Sequence, residues 1–239
     1  MGGAAEFLGQ LGERLTGRPA RPSAAGGVVR HVLSSSQEPE RIAPQDALAE
    51  IQRIVPADTI YTVDAGDHSQ FAAHYLRINL PDAFLVMTGL GSMGPSIGAA
   101  IGAQLAHPGR FVAAIVGDGC FAMNAFEIST AVAERLPIRV FVFNDERLAM
   151  VENGHQTVYG RHPRYPTAPL DVCAVARGLG AISLRVGQIG QLEAAREVIR
   201  GAPGVVVVDV RIDPAIALPK LDRVAAMAPG VASMLAGQS

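Results

Sequence analysis

FVAAIVGDGCFAMNAFEISTAVAERLPIRVFVFNDERLAMV, residues Phe111 to Val151, is the stretch that decides the fold. Two apolar runs, Phe111–Val116 and Ile138–Phe143, are nearly continuous rather than alternating. That is the pattern of strands buried on both faces of a parallel sheet. Between them Ala125, Ile128, Ala131, Val132 and Leu136 recur at helical spacing. The spacing predicts a helix of about four turns, stopped by Pro137. Strand, helix and strand make one βαβ unit. Its right-handed crossover sets the strands parallel, so the loops after them leave the sheet at the same edge.

Those two loops carry Gly117-Asp118-Gly119 and Asn144-Asp145. Asp118 and Asp145 are distant in sequence yet are expected to face one another in space. Two carboxylates at one sheet edge repel unless a cation lies between them, and hard oxygen donors with room for phosphate and water suit Mg²⁺. Gly117 and Gly119 leave the backbone open, and the helix that follows turns its N-terminal amides toward an anion. The expected ligand is a magnesium-bound diphosphate. GDG alone is an ordinary strand-to-helix turn and Asn-Asp an ordinary strand exit; their combination and order carry the reading.

Outward from this unit the same alternation continues. Pro44 opens a helix with Ala47, Leu48, Ile51, Ile54 and Val55 on one face. Thr59–Val63 reads as a strand ending in Asp64-Ala65-Gly66-Asp67-His68, and Phe71, Tyr75 and Ile78 mark a short helix. Phe84–Met87 is a second strand, feeding a Gly-rich turn, Thr88-Gly89-Leu90-Gly91-Ser92-Met93-Gly94, and a small-residue helix, Ser96–Ala106. After the central unit, 151–168 reads as a long loop above the same sheet edge. Helix 170–179, strand 182–186, helix 192–199 and strand 205–210 follow. The fold class is therefore α/β: a doubly wound, mainly parallel sheet of about six strands with helices on both faces. The expected organisation is an N-terminal arm or linker over 1–41, rich in Arg, Pro, Ala, Gly and Ser, a binding domain over 42–214, and a C-terminal tail over 215–239.

Composition narrows the function classes. The chain has 239 residues, is 49% hydrophobic and carries a net charge of −2. No long apolar run suggests a membrane span, and no basic field suggests nucleic acid. Two cysteines are too few for a disulfide framework or an iron–sulfur cluster. The first residues lack a signal core, so the expected location is cytoplasmic.

The run from about Pro44 to Pro214 resembles the diphosphate-binding domain of the acetolactate synthase-like family of thiamine diphosphate enzymes. The matching pieces are PQDALAEI, DAGDHSQFAA, GLGSMGPSIGAAIGA, VGDGCFAMNAFEISTAV, LPIRVFVFNDERLAMV and VVVVDVRIDP. The resemblance implies thiamine diphosphate and Mg²⁺ as cofactors. It implies Asp118, Asp145 and the backbone carbonyl of Arg147 as metal ligands, Gly117, Gly119 and Cys120 around the diphosphate, and Gly66 and His68 bordering it. The Gly91 carbonyl would accept from the 4′-amino group of the aminopyrimidine, Met93 would be the wedge that bends the cofactor, and Leu148 and Met150 would wall the pocket. Gly154 and His155 would lie at the substrate pocket. The implied reaction decarboxylates a 2-oxo acid, pyruvate by default, and transfers the acyl unit to an acceptor. The rival readings are a two-chain decarboxylase of the sulfopyruvate or phosphonopyruvate type and a non-catalytic nucleotide-binding module on the same scaffold.

Departures from the family pattern sharpen this expectation. Cys120 stands where a hydroxyl residue is usual, Asp67 puts a negative charge where Gln is frequent, and Gly154 replaces a Trp that narrows the acceptor pocket. Family enzymes also need a pyrimidine-binding domain, whose Glu engages the aminopyrimidine, and the residues before Ile42 are too few to form one. The expectation is a split enzyme: this chain pairs with a separate pyrimidine-domain chain, as a heterotetramer, and is catalytically poor alone.

Overall fold

The computed structural model describes residues 33–218 apart from Thr88 and His162, and omits the side chain of Val158. The expected C-terminal tail beyond residue 218 and most of the arm lie outside the described residues. Six strands form one sheet in the order β2-β1-β3-β4-β6-β5, every neighbouring pair parallel. They are β1 (Ile60–Val63), β2 (Phe84–Val86), β3 (Val112–Gly117), β4 (Arg139–Asn144), β5 (Ile182–Val186) and β6 (Val206–Arg211). The helices are α1 (Pro44–Ile54), α2 (Asp67–Tyr75), α3 (Pro95–Ala106), α4 (Asp118–Asn124), α5 (Ile128–Ala133), α6 (Ala149–Tyr159), α7 (Val172–Gly178), α8 (Gln191–Ala194) and α9 (Arg196–Gly201).

Strands β3 and β4 are buried at every residue, which the two continuous apolar runs require. Their side chains alternate between two separate cores. Ala113, Ile115, Phe141 and Phe143 join Leu48 and Ile51 of α1 and Phe71 of α2. Val112, Ala114, Val116, Val140 and Val142 join Ile97 of α3, Phe121 of α4 and Ala176 of α7. Helices thus cover both faces, and functional groups are left the C-terminal edge of the central strands.

The expected elements recur with four differences. The helix between β3 and β4 is broken by a 3₁₀ turn at Ala125–Glu127, and it ends at Ala133, before Pro137 can act. The chain reverses at Arg135, whose φ is 53°, while the Leu136 amide bonds back to the Ala131 carbonyl at 2.9 Å. The segment expected as one helix over 192–199 is two short ones, α8 and α9. The segment expected as a loop over 151–168 is helical through Tyr159: α6 ends at Gly160, whose φ of 64° supplies the left-handed cap. Of the arm expected over 1–41, residues 33–41 are described and lie against the sheet: Ile42 bridges Ile212, and Ser36 Oγ donates to Asp213 Oδ2 at 2.7 Å.

Arg139, the first residue of β4, is the largest fully buried side chain among the described residues. It has no carboxylate partner among the described residues. Its guanidinium instead donates to the carbonyls of Ile199, Pro137 (2.6 Å), Gly204 (2.9 Å) and Ala202 (2.7 Å), closing α9 and the turn before β6. Desolvation pulls its pKa down to about 10, so it stays charged at neutral pH. It sits at the N-terminal end of the strands, away from the functional edge. Replacing Arg139 with Met should therefore cost ~3 kcal/mol in urea unfolding, because it strands several buried carbonyls. A loss below about 1 kcal/mol would mean that water replaces the guanidinium.

Candidate active site

Four strand exits converge at the C-terminal edge of the sheet. The turn after β1 contributes Gly66, Asp67 and His68; the turn after β2, Gly91 and Met93; the end of β3 and start of α4, Gly117, Asp118, Gly119 and Cys120; and the segment after β4, Asp145, Arg147, Leu148 and Met150. Together they line one cavity of about 190 Å³. All twelve residues expected around the cofactor are in that wall, joined by Asp67, Ala65, Phe143, Ala149, Val151 and Ile212. Gly154 and His155 are not: they lie further along α6. The His155 ring packs edge-on against Tyr159 and Tyr165, with centroids 4.7 and 6.2 Å away, and its Nδ1 is buried without a partner.

The backbone geometry is built for close approach. A side chain at Gly119 would place its Cβ 2.7 Å from Leu148 Cδ2 and 3.1 Å from Met93 Cε, so glycine there lets both walls close on the turn. Gly94 holds φ at 98° as the residue before α3, a conformation that L side chains rarely adopt.

The two expected metal-binding carboxylates are buried and close enough to perturb each other. Asp118 Oδ1 accepts from the Gly119 amide at 2.9 Å, and Oδ2 from Thr167 Oγ1 at 2.7 Å. Burial still pushes its pKa up. Asp145 is raised to about 6, first by burial and then by the negative charge of Asp118, against the opposing hydrogen bond from Arg147 Nε at 2.9 Å. Arg147 pairs with only one of the two carboxylates, and the remaining like-charge repulsion is a cost that a divalent cation relieves. The Arg147 backbone lies in an antiparallel bridge with Pro166. The bonds of that bridge use the Glu146 carbonyl and the Leu148 amide, not the Arg147 carbonyl. A donor set of two carboxylates and one carbonyl is thus compatible with Mg²⁺.

His68 is buried at the base of the cavity. Desolvation lowers its pKa to about 4, which makes it a neutral imidazole at pH 7, and its Nε2 has no hydrogen-bond partner. An orphaned polar atom in a cavity wall fits a polar ligand. Asp67 does not turn away from the site. It lines the cavity and accepts from Asn153 Nδ2 at 2.5 Å, tying the start of α2 to α6 across the mouth.

Several supporting residues have no signal in the local sequence. Thr167 reaches Asp118 only because the 160–171 segment folds back over the edge. Asp64 is fully buried and accepts from the Ser96 amide at 2.9 Å, fixing α3 and the Gly-rich turn before it. Asn144 donates to buried Asp209 at 2.9 Å, joining β4 to β6, so of the Asn-Asp pair the first member is structural.

The like-charge pair makes a direct test. Mg²⁺ with thiamine diphosphate should raise the melting temperature of the chain, and Asp118→Asn should abolish that increment. The metal-free Asp118→Asn variant should melt no lower than the parent, since one of two repelling carboxylates is gone. Because protons compete with the metal for Asp145, the increment should also fade as pH drops below about 6. A metal response that survives in Asp118→Asn would remove Asp118 from the ligand set.

Residues 64–210 match the family described as thiamine pyrophosphate enzyme, C-terminal TPP binding domain. The acetolactate synthase isozyme 2 large subunit of Escherichia coli K12 is 33% identical over 162 residues, covering 66% of this chain and 29% of that protein. The isozyme 3 large subunit of the same organism is 33% identical over 190 residues, 77% of this chain and 33% of that one. The Rhodococcus jostii RHA1 thiamine diphosphate-dependent 4-hydroxybenzoylformate decarboxylase shares the fold, with a TM-score of 0.69 at 20% identity over 77% of this chain and 35% of that one. The chain thus spans about a third or less of the length of these curated relatives. With its Asp118 and Asp145 turns inside the matched region, this chain belongs to the thiamine pyrophosphate enzymes through their C-terminal TPP-binding domain.

Proposed function

We propose that this chain is the diphosphate-binding subunit of an acetolactate synthase-like enzyme that decarboxylates a 2-oxo acid, pyruvate by default, and passes the acyl unit to an acceptor. The observation that carries the reading is the buried pair Asp118 and Asp145 on one cavity wall, beside the unpartnered Nε2 of His68. In this reading Asp118, Asp145 and the Arg147 carbonyl hold Mg²⁺. The turn Gly117–Cys120 receives the diphosphate, with Gly66 and neutral His68 at its border. The Gly91 carbonyl orients the aminopyrimidine, and Met93, Leu148 and Met150 form the apolar wall that excludes water. Thiamine diphosphate, when bound, supplies a thiazolium electron sink for decarboxylation. The chain contributes placement, charge compensation and dryness.

The proposal includes a separate pyrimidine-domain chain. The carboxylates lining the cavity are Asp67, Asp118 and Asp145, and no Glu is among the described lining residues. The Glu that engages the aminopyrimidine therefore has to come from outside this wall. No helix among the described residues is long and apolar enough to cross a membrane.

Two experiments bear on this. Affinity purification of the chain should bring down a partner that carries a pyrimidine domain, and the pair, not the chain alone, should release CO₂ from pyruvate in the presence of thiamine diphosphate and Mg²⁺. Full activity from the isolated chain would refute the split arrangement. Gly154→Trp should narrow the range of acceptors while leaving decarboxylation within about twofold; an unaltered acceptor profile would take Gly154 out of the substrate pocket.

A further inference from the structure

Glu146, between the expected metal ligands Asp145 and Arg147, is one of three non-glycine residues among those described with a positive φ, at 61°. A glutamate gains nothing intrinsic from that left-handed conformation, so the surroundings must impose it. They do so at both ends of the residue. The side chain is gripped by two arginines: Arg41 Nη2 lies 2.9 Å from Oε2, and Arg211 Nη2 lies 2.8 Å from Oε1. The backbone carbonyl accepts from Thr167 N at 3.0 Å, and Thr167 Oγ1 reaches Asp118 Oδ2 at 2.7 Å.

The two arginines are themselves anchored. Arg211 ends β6, beside Asn144 of β4. Arg41 immediately precedes Ile42, whose amide bonds the Arg211 carbonyl at 2.9 Å and whose carbonyl accepts from Asp213 N at 3.0 Å; Arg41 Nη1 adds a bond to the Ile212 carbonyl at 2.9 Å. Exposed ion pairs of this kind contribute little to global stability. Their geometry, however, fixes one residue on the loop that carries Asp145 and, through Thr167, links that loop to Asp118.

We propose that Glu146 is a positioning residue for the metal end of the cofactor site, and that the segment entering the domain at Arg41 takes part in cofactor retention by clamping Glu146 against Arg211. The proposal rests on the thiamine diphosphate reading above. It assigns a role to Arg41, Glu146 and Arg211, none of which lines the cavity.

The test is calorimetric titration of Mg²⁺ at saturating thiamine diphosphate, using the chain in the assembly in which it purifies. Arg41→Met and Glu146→Gln should each weaken Mg²⁺ binding about tenfold, as loss of an outer-shell partner of a metal ligand does. Raising Mg²⁺ should restore thiamine diphosphate binding to the parent level, a rescue that a general loss of structure would not allow. The double variant should be no weaker than Glu146→Gln alone, because Arg41 acts through Glu146. Added salt should shrink the gap between parent and variants, since these pairs are solvent-exposed. If Glu146→Gln folds poorly, Arg41→Met carries the measurement alone. Variants that bind Mg²⁺ like the parent, or a loss that excess Mg²⁺ does not restore, would overturn the clamp while leaving the cofactor assignment intact. A parent that binds no thiamine diphosphate with Mg²⁺ would overturn both.

Discussion

Two carboxylates held out of water on neighbouring strand ends are the constraint around which this molecule is arranged. Burial and mutual repulsion lift Asp145 to about 6. The Thr167 hydroxyl, the Gly119 amide and the Arg147 guanidinium act to keep the pair ionised, while the nearby charge of Asp67 acts against them. On the proposed function, a cation between the two carboxylates would offset this cost.

The architecture that brings them together was open to sequence reasoning because strands buried on both faces leave a strong mark. The runs FVAAIV and IRVFVF fix the central pair of strands, and the crossover rule fixes which ends their loops share. From there the turn residues follow: the Gly and Asp positions after β1, β2, β3 and β4 fall in one cavity wall because parallel strands put every exit on the same edge. What the chain's local pattern hides are the tertiary contacts. Thr167 and Glu146 matter through partners far away in sequence, and nothing in DERLA announces a left-handed glutamate.

The misjudged elements have equally local causes. Helix α6 carries Asn153, Gly154 and several polar side chains in place of a clean apolar stripe, so its periodicity is weak; only Gly160, a left-handed cap, marked its end. Arg139 interrupts the second apolar run at its start, and its burial is explained by carbonyls that α9 and the following turn present to it. Burial of a charge at the N-terminal edge and of two charges at the C-terminal edge are unlike cases. The first is met by carbonyls alone; the second is two carboxylates that share one guanidinium, Arg147, on Asp145.

The cavity wall draws on segments from Ala65 to Ile212, so no fragment shorter than that span contains it. A nascent or partly unfolded polypeptide cannot hold the vitamin, and each bound molecule therefore favours only the completed sheet. On the proposed function, a copy without the vitamin opens more often than a loaded one and is the more exposed to proteolysis.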